Sequence, residues 1–282
     1  MYALYRQAGM QAATQRRTGG GLNAEVATWL EKVETTDGQA LETSVVDAVD
    51  ALVTAIKATG TWGQFAGFGV TAGPRTYQSA FHALIGSDLV AATGPHTFSS
   101  SDFERATGLR GKNQTASVLT QGFIPPTSWR DSHHLVAYEV EVIGAQSGRS
   151  VLAHHRANRN GAIHMSSAAG NAAFRSCDGS ISNVSQSTMT GVIQINRSSS
   201  TSFTAFVDSA GAEETFSTTT TADPVQTIRV TLFGADPTDS AHNTLNAAAV
   251  WGYSTGIADA ADRAAIRNAI RSYVTTLAGI FA

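Results

Sequence analysis

A single cysteine, Cys177, is all the thiol chemistry that this 282-residue chain possesses. That excludes an intrachain disulfide and a four-cysteine zinc site. Charge is scarce as well: Asp, Glu, Lys and Arg make up 15% of the residues, against about 25% in an average soluble domain. Polarity therefore rests on Ser, Thr, Asn and Gly, a mix that suits strands, tight turns and surfaces that pack on partners without burying many charges. Lysine does not occur after Lys112. With a net charge of -3 and a pI near 6.2 the chain carries no nucleic-acid footprint. No run approaches the roughly 20 apolar residues of a membrane span. Met1–Thr18 lacks the continuous apolar core of a secretory signal, so the expectation is a protein soluble at synthesis and made in its host's cytoplasm. Without such a signal, Asn113-Gln-Thr, Asn183-Val-Ser and Asn196-Arg-Ser are chance matches to the glycosylation pattern.

What is present divides the chain into three expected parts: a docking arm over 1–21, a helical segment over 22–98 and a strand-rich domain over 99–282. Residues 1–18 hold Arg6, Arg16 and Arg17 with no acidic residue, and Tyr2, Leu4 and Tyr5 as apolar anchors, before Gly19-Gly20-Gly21 breaks the segment. Tyr2, Tyr5, Arg6, Arg16 and Arg17 are the residues expected to dock on a partner subunit; a frayed terminus is the alternative. Asn23 is placed as the N-cap of a helix carrying Val26, Trp29, Leu30 and Val33 at helical spacing. A second helix is expected near 42–59, with Ser44-Val-Val-Asp47 as a capping box and Gly60 at its C-terminal stop. Its stripe of Val45, Val49, Leu52, Val53 and Ile56 predicts a helical hairpin. Trp62, Phe65, Phe68 and Val70 then form an aromatic cluster punctuated by Gly63, Gly67 and Gly69; the spacing is not a dinucleotide fingerprint.

From Gly111 onward short strand-like runs follow one another between polar turns. In 134–143 the residues Leu135, Ala137, Glu139 and Glu141 share one face, and Val136, Tyr138, Val140 and Val142 the other. Further strands are expected over 150–155, 161–166, 172–176, 191–196, 202–208, 213–219, 226–233 and 247–254. Many short strands without interleaved long helices predict an antiparallel sandwich. The chain closes on an expected amphipathic helix over 258–278, with Ile266, Ile270, Tyr273, Val274 and Leu277 on one stripe. Arg263, Arg267 and Arg271 line another, read as a solvated face with contact to an acidic neighbour as the alternative.

The segment Phe103-Glu-Arg-Ala-Thr-Gly-Leu-Arg-Gly-Lys112 resembles the aromatic-x-Arg-x-Thr-Gly-Leu-x-Gly turn of virion structural proteins of tailed bacteriophages that carry a concanavalin A-like (laminin G-like) β-sandwich. Ala24-Glu-Val-Ala-Thr-Trp29 and Asp37-Gly-Gln-Ala-Leu41 are similar to the helical segment that precedes the sandwich in those proteins. The segment around Trp62 and the terminal helix occupy matching relative positions. The resemblance runs from about Leu22 through most of the chain and leaves residues 1–18 outside. It implies a mainly β fold, an antiparallel concanavalin A-like jelly-roll sandwich with an N-terminal helical hairpin and a C-terminal helix, located in the virion. The expected function is that of a non-enzymatic structural protein, either a tail fibre or spike adhesin or a capsid decoration protein. The partners it implies are other virion proteins of capsid or tail, and further copies of itself in a trimer expected from virion symmetry. The alternatives are a module binding host surface glycan, or a polysaccharide-degrading hydrolase or lyase.

Glu139 and Glu141 are spaced as catalytic carboxylates are on a glucanase strand, but no third carboxylate follows, and a solvent-facing or interface pair is expected. His133-His134, His154-His155 and His164 lie on neighbouring candidate strands; adjacent histidines point to opposite faces, so each pair offers one metal ligand at most. No metal and no cofactor is expected, although Asp236, Asp239 and Asn243 form a loop that calcium would suit. Gly108-Leu-Arg-Gly-Lys112 is too short for a phosphate loop, and Gly108, Gly111 and Lys112 read as turn geometry. For a glycan the aromatic contacts would be Trp129 and Tyr253, with Trp251 in the core.

Overall fold

A computed structural model describes residues 21–92, 94–112, 118–141, 149–153, 162–165, 171–176, 182–185, 190–218, 229–234 and 247–282. The expected arm with Tyr2, Tyr5, Arg6, Arg16 and Arg17 lies outside them, as do Cys177, His154, His155, Asp236, Asp239 and Asn243.

Two helices come first, α1 (Ala24–Asp37) and α2 (Thr43–Lys57). Strands β1 (Phe65–Val70), β2 (Ala83–Ile85), β3 (Val90–Ala91), β4 (Phe103–Glu104), β5 (Gly108–Arg110) and β6 (Leu119–Thr120) follow. The remainder holds β7 (His133–Glu141), β8 (Arg149–Ala153), β9 (Ala162–Met165), β10 (Asn171–Arg175), β11 (Ser182–Ser185) and β12 (Gly191–Arg197). Strands β13 (Ser202–Val207), β14 (Glu213–Ser217), β15 (Thr231–Leu232) and β16 (Ala247–Ser254) precede the last helix, α3 (Ala260–Ile280).

The strands build two antiparallel sheets. The larger runs β14-β13-β12-β7-β16-β1-β2, with β5 attached to β16 and β4 to β5; the second runs β11-β10-β9-β8-β15-β6-β3. The protein is thus the mainly β antiparallel sandwich that the short strands predicted, with two helices before it and one at its end. The boundary expected at residue 98/99 falls inside it, because β1 pairs with β16 in the middle of the larger sheet.

Strand alternation sets the layering. On β7, Leu135 and Ala137 enter the core between the two sheets, where they meet Ile193, Phe203, Trp251, Leu119, Phe174 and Leu232. Val136 and Tyr138 turn the other way and pack, with Phe68, Val192, Phe206 and Val250, under the helices. The larger sheet is therefore covered twice, by the second sheet on one face and by a helical layer on the other. Trp29, Val45, Val49, Leu52, Ile56, Ile266, Ile270, Tyr273 and Leu277 form that layer's buried side, whose removal from water supplies most of the attraction. The hairpin is looser than its stripe predicts: α2 lies mainly along α3, and α1 rests against β2 and the turn before it.

Several local expectations shift. Asn23 is the N-cap residue of α1, but its side chain makes no cap bond. Instead its backbone N–H and Nδ2 donate to Asp50 Oδ1 at 2.8 and 2.9 Å, tying α1 to α2. α1 stops at Gly38, whose φ of 69° is the left-handed conformation of a helix C-cap. α2 begins at Thr43 behind Glu42, so the box proposed over Ser44–Asp47 is not its cap. Asp259 caps α3, accepting from the Ala261 N–H at 2.6 Å.

Candidate functional site

The segment that carries the family resemblance is a joint. Between β4 and β5 the chain reverses at Arg105–Thr107, and Gly108 has a φ of 84°. A Cβ on Gly108 would lie 2.4 Å from the Ala248 carbonyl oxygen and from Thr71 Oγ1, so only glycine lets these backbones meet. Arg105 grips three parts of the molecule. Its guanidinium donates from Nη1 and Nη2 to the two oxygens of Glu42 at 3.0 and 2.5 Å. Nε donates to the carbonyls of Gly73 and Pro74 at 3.2 and 3.1 Å. Its plane also lies 4.5 Å from the Phe281 ring centroid. The hydrogen bond from Arg105 holds the Glu42 carboxyl below the usual range, against an opposing push from burial. Lys112 Nζ pairs with Asp102 at 2.6 Å and donates to the Thr97 carbonyl at 2.8 Å, as expected of turn geometry.

The arginine row of α3 corrects the solvated-face reading. Arg263 and Arg267 are 5% and 7% exposed. Both engage Glu213: Arg263 through Nε at 3.0 Å and Nη2 at 2.7 Å, and Arg267 through Nη1. Arg267 also sits 4.1 Å from the Phe206 ring centroid, and Arg271 pairs with Asp208. These charges face inward because the β13–β14 hairpin brings its carboxylates beneath the helix. From Arg267 the network continues to Gln194 Oε1, then from Gln194 Nε2 to His134 Nε2 at 2.5 Å. The amide nitrogen can only donate, so His134 is neutral, with its proton on Nδ1 facing Ser254 Oγ at 3.1 Å. Burial, reinforced by Arg263 and Arg267, pushes this imidazole down to about 3.

The other sequence candidates do not converge. Trp129 and Tyr253, expected to meet a glycan, are 6% and 2% exposed. Phe123 covers both, with ring centroids 5.2 Å from each, and the Tyr253 hydroxyl donates to Gln121. Neither ring face is open to a sugar, because both belong to the aromatic core between the sheets; Trp251 is core, as expected. Glu139 is buried rather than solvent-facing, since its strand face points into the sandwich. His133 and His134 diverge as adjacent strand residues must: His133 Nδ1 donates to the Trp129 carbonyl at 2.8 Å and its Nε2 meets Ser176 Oγ at 3.1 Å. Among the described residues no group of three or more His, Cys, Asp or Glu is placed to hold a metal ion, and no helix is long and apolar enough to cross a membrane.

One arrangement escaped the sequence altogether. Thr36, His82 and Asp88 form a solvent-facing line of hydrogen bonds beside Lys32. Its members come from three segments with no shared motif. The only signal is the i, i+4 spacing of Lys32 and Thr36, which puts them on one helix face.

No family model and no curated protein matches the chain. A match among solved structures is the binding domain of Paraclostridial Mosquitocidal Protein 1, at 12% identity and a TM-score of 0.44. The alignment covers 73% of this chain and 51% of that one, so the chain spans about half the length of the structure it matches. Values this low carry no function across.

Proposed function

We propose that this protein is a structural component of a tailed-bacteriophage virion, with a concanavalin A-like sandwich as its scaffold. It would serve as a tail fibre or spike adhesin or as a capsid decoration protein. The observation that carries this reading is the Arg105 joint. The turn by which the chain resembles those virion proteins is where the helical segment, the larger sheet and the C-terminal end are fastened together. The segment is thus bound up with the whole architecture that the resemblance implies: helices first, then sandwich, then a closing helix. The low charge content and the inward-facing arginines suit a body whose surface packs on neighbouring subunits.

Quantitative mass spectrometry of purified particles tests the proposal. Hundreds of copies per particle support the decoration role, and a small fixed complement supports a tail role. Absence from particles that contain their other structural proteins refutes the reading. Analytical ultracentrifugation of the purified chain is expected to give a trimer; a monomer at micromolar concentration removes that part.

A further inference from the structure

Three side chains from separate segments meet at the end of α1. Thr36 lies in its last turn, His82 connects the short 3-10 turn Ser79–Phe81 to β2, and Asp88 follows the bend at Gly86. Asp88 Oδ2 lies 2.9 Å from His82 Nδ1, and His82 Nε2 lies 2.7 Å from Thr36 Oγ1. The carboxylate is held from behind: Oδ1 accepts the Ala83 N–H at 3.0 Å and pairs with Lys32 Nζ at 3.0 Å. Burial is the largest influence on Asp88 and pushes its carboxyl up, but the bonds from His82, Lys32 and the Ala83 N–H together hold it below its usual range. An ionised carboxylate only accepts, so His82 Nδ1 donates to Asp88; when that is the ring's one proton, the Nε2 lone pair faces the threonine hydroxyl.

This order of groups is that of an activated nucleophile: a hydroxyl, an imidazole within reach of its proton, and a carboxylate fixing the ring's tautomer and orientation. The hydroxyl is open, since Thr36 is exposed and the His82 side chain retains 18% of its accessibility. The Ser176–His133 pair also couples a hydroxyl to an imidazole, but both are buried in the sandwich. Lys32, one turn back on the same face of α1, pairs with Asp88 Oδ1 at 3.0 Å and so holds the carboxylate that orients His82.

We propose that Thr36 is a nucleophilic hydroxyl that cleaves small carboxylic esters, with His82 as its general base and Asp88 as the positioning residue. Thr36 Oγ bonds to the acyl carbon while its proton passes to His82 Nε2. The ester C–O bond breaks, and the departing oxygen takes that proton to leave as the alcohol. Water, deprotonated by the same imidazole, then adds to the acyl carbon, releasing the carboxylic acid and restoring the Thr36 hydroxyl. Water is the only co-reactant, and no redox change occurs. This inference does not depend on the virion reading, because a scaffold in any setting could carry the site.

The test uses the full chain with p-nitrophenyl acetate, following nitrophenol release and mapping the acetyl adduct by tandem mass spectrometry. Acetylation is expected on Thr36. Thr36→Ala and His82→Gln should each lower turnover by ~100-fold, while Thr36→Ser should retain it. Asp88→Asn should displace the pH–rate profile, an effect that loss of a purely mechanical tie would not produce. Acetylation confined to lysine or histidine side chains overturns the proposal. So does a Thr36→Ala variant that hydrolyses like the parent, including one with a lower melting temperature, which would make the line of bonds a fastener for α1. Circular dichroism of each variant separates loss of chemistry from loss of fold.

Discussion

The Arg105 guanidinium directs its nitrogens to one joint, two of them to the Glu42 carboxylate and Nε to backbone carbonyls. Lysine would keep the charge but cannot reproduce that planar fork. Arg105→Lys is therefore expected to lower the unfolding free energy by ~1–3 kcal/mol in urea titrations. An Arg105/Glu42 double-mutant cycle should show coupling, and strict additivity would contradict the joint. His134 gives a second test, in acid. In the unfolded chain its imidazole takes up a proton near pH 6.5, whereas in the fold it resists until about 3. Between those limits the unfolded state binds more protons, so stability falls as the pH drops, by up to about 1.4 kcal/mol per pH unit, and levels off below about 3. His134→Gln should flatten stability between pH 6 and 4; an unchanged slope there would assign the acid sensitivity to other groups. Glu213 acts in the same sense at lower pH. Burial, its largest influence, pushes its carboxyl up, but Arg263 and Arg267 pull it below the usual range. The stability it contributes is present above about pH 4.5 and is lost as the pH falls further.

At the level of elements, α3 shows where a sequence pattern stops being informative. The stripe Ile266, Ile270, Tyr273 and Leu277 was legible and is buried, whereas the Arg263–Arg267–Arg271 row gave no sign that it too is mostly interior. Periodicity separates polar from apolar faces, but it does not reveal that Asp208 and Glu213, 63 and 50 residues before the arginines they meet, will lie beneath the polar face. Glu213→Gln should accordingly be costly, ~3–5 kcal/mol by chemical denaturation, because it leaves two largely buried guanidinium groups short of a counter-charge. A triple change of Glu213, Arg263 and Arg267 to leucine or methionine should cost less than that single change. Among strands, the apolar run of 247–254 predicts β16 to the residue, and the alternation of 134–143 predicts β7 within a few residues. β11 was missed because Ser182-Asn-Val-Ser185 has one apolar side chain and no visible period. The stretch expected as a strand over 226–233 contributes a described strand only at Thr231–Leu232. The turn at Gly108 was legible as a turn, but the proximity of Ala248 that forbids a side chain there was not. Gly108→Ala should abolish accumulation of soluble protein or lower its melting point sharply, since it combines a left-handed φ with a backbone clash.

For the molecule as a whole, the double covering of the larger sheet predicts an order of stability. Strands β7 and β16 sit near its middle, paired on both sides, with helices on one face and the second sheet on the other. Their amides should be the last to exchange with deuterium, and those of β14 and β3, at the outer edges of the two sheets, among the first. Uniform exchange across the sheets would contradict the layered core. The fold class was legible because strand count and turn spacing are local properties. The functional residues were less so: the aromatic side chains proposed for sugar contact, Trp129 and Tyr253, are core because the β6–β7 connection that carries Trp129 also folds Phe123 over both rings and Gln121 onto the Tyr253 hydroxyl.

The helical layer joins the two ends of the described chain, and this bears on how the protein comes into being. The Tyr273 hydroxyl donates to the carbonyl of Ala72, 201 residues away in sequence. On a ribosome, α2 and β1 emerge long before α3 exists to cover them. At synthesis rates of about 5–20 residues per second, the apolar faces of α2 and β1 wait roughly ten seconds or more for β16 and α3 to emerge. Such long-range closure also slows folding once the chain is released. The nascent protein therefore has a window for aggregation that shuts only when its last helix docks, and overproduction should favour inclusion bodies over soluble product.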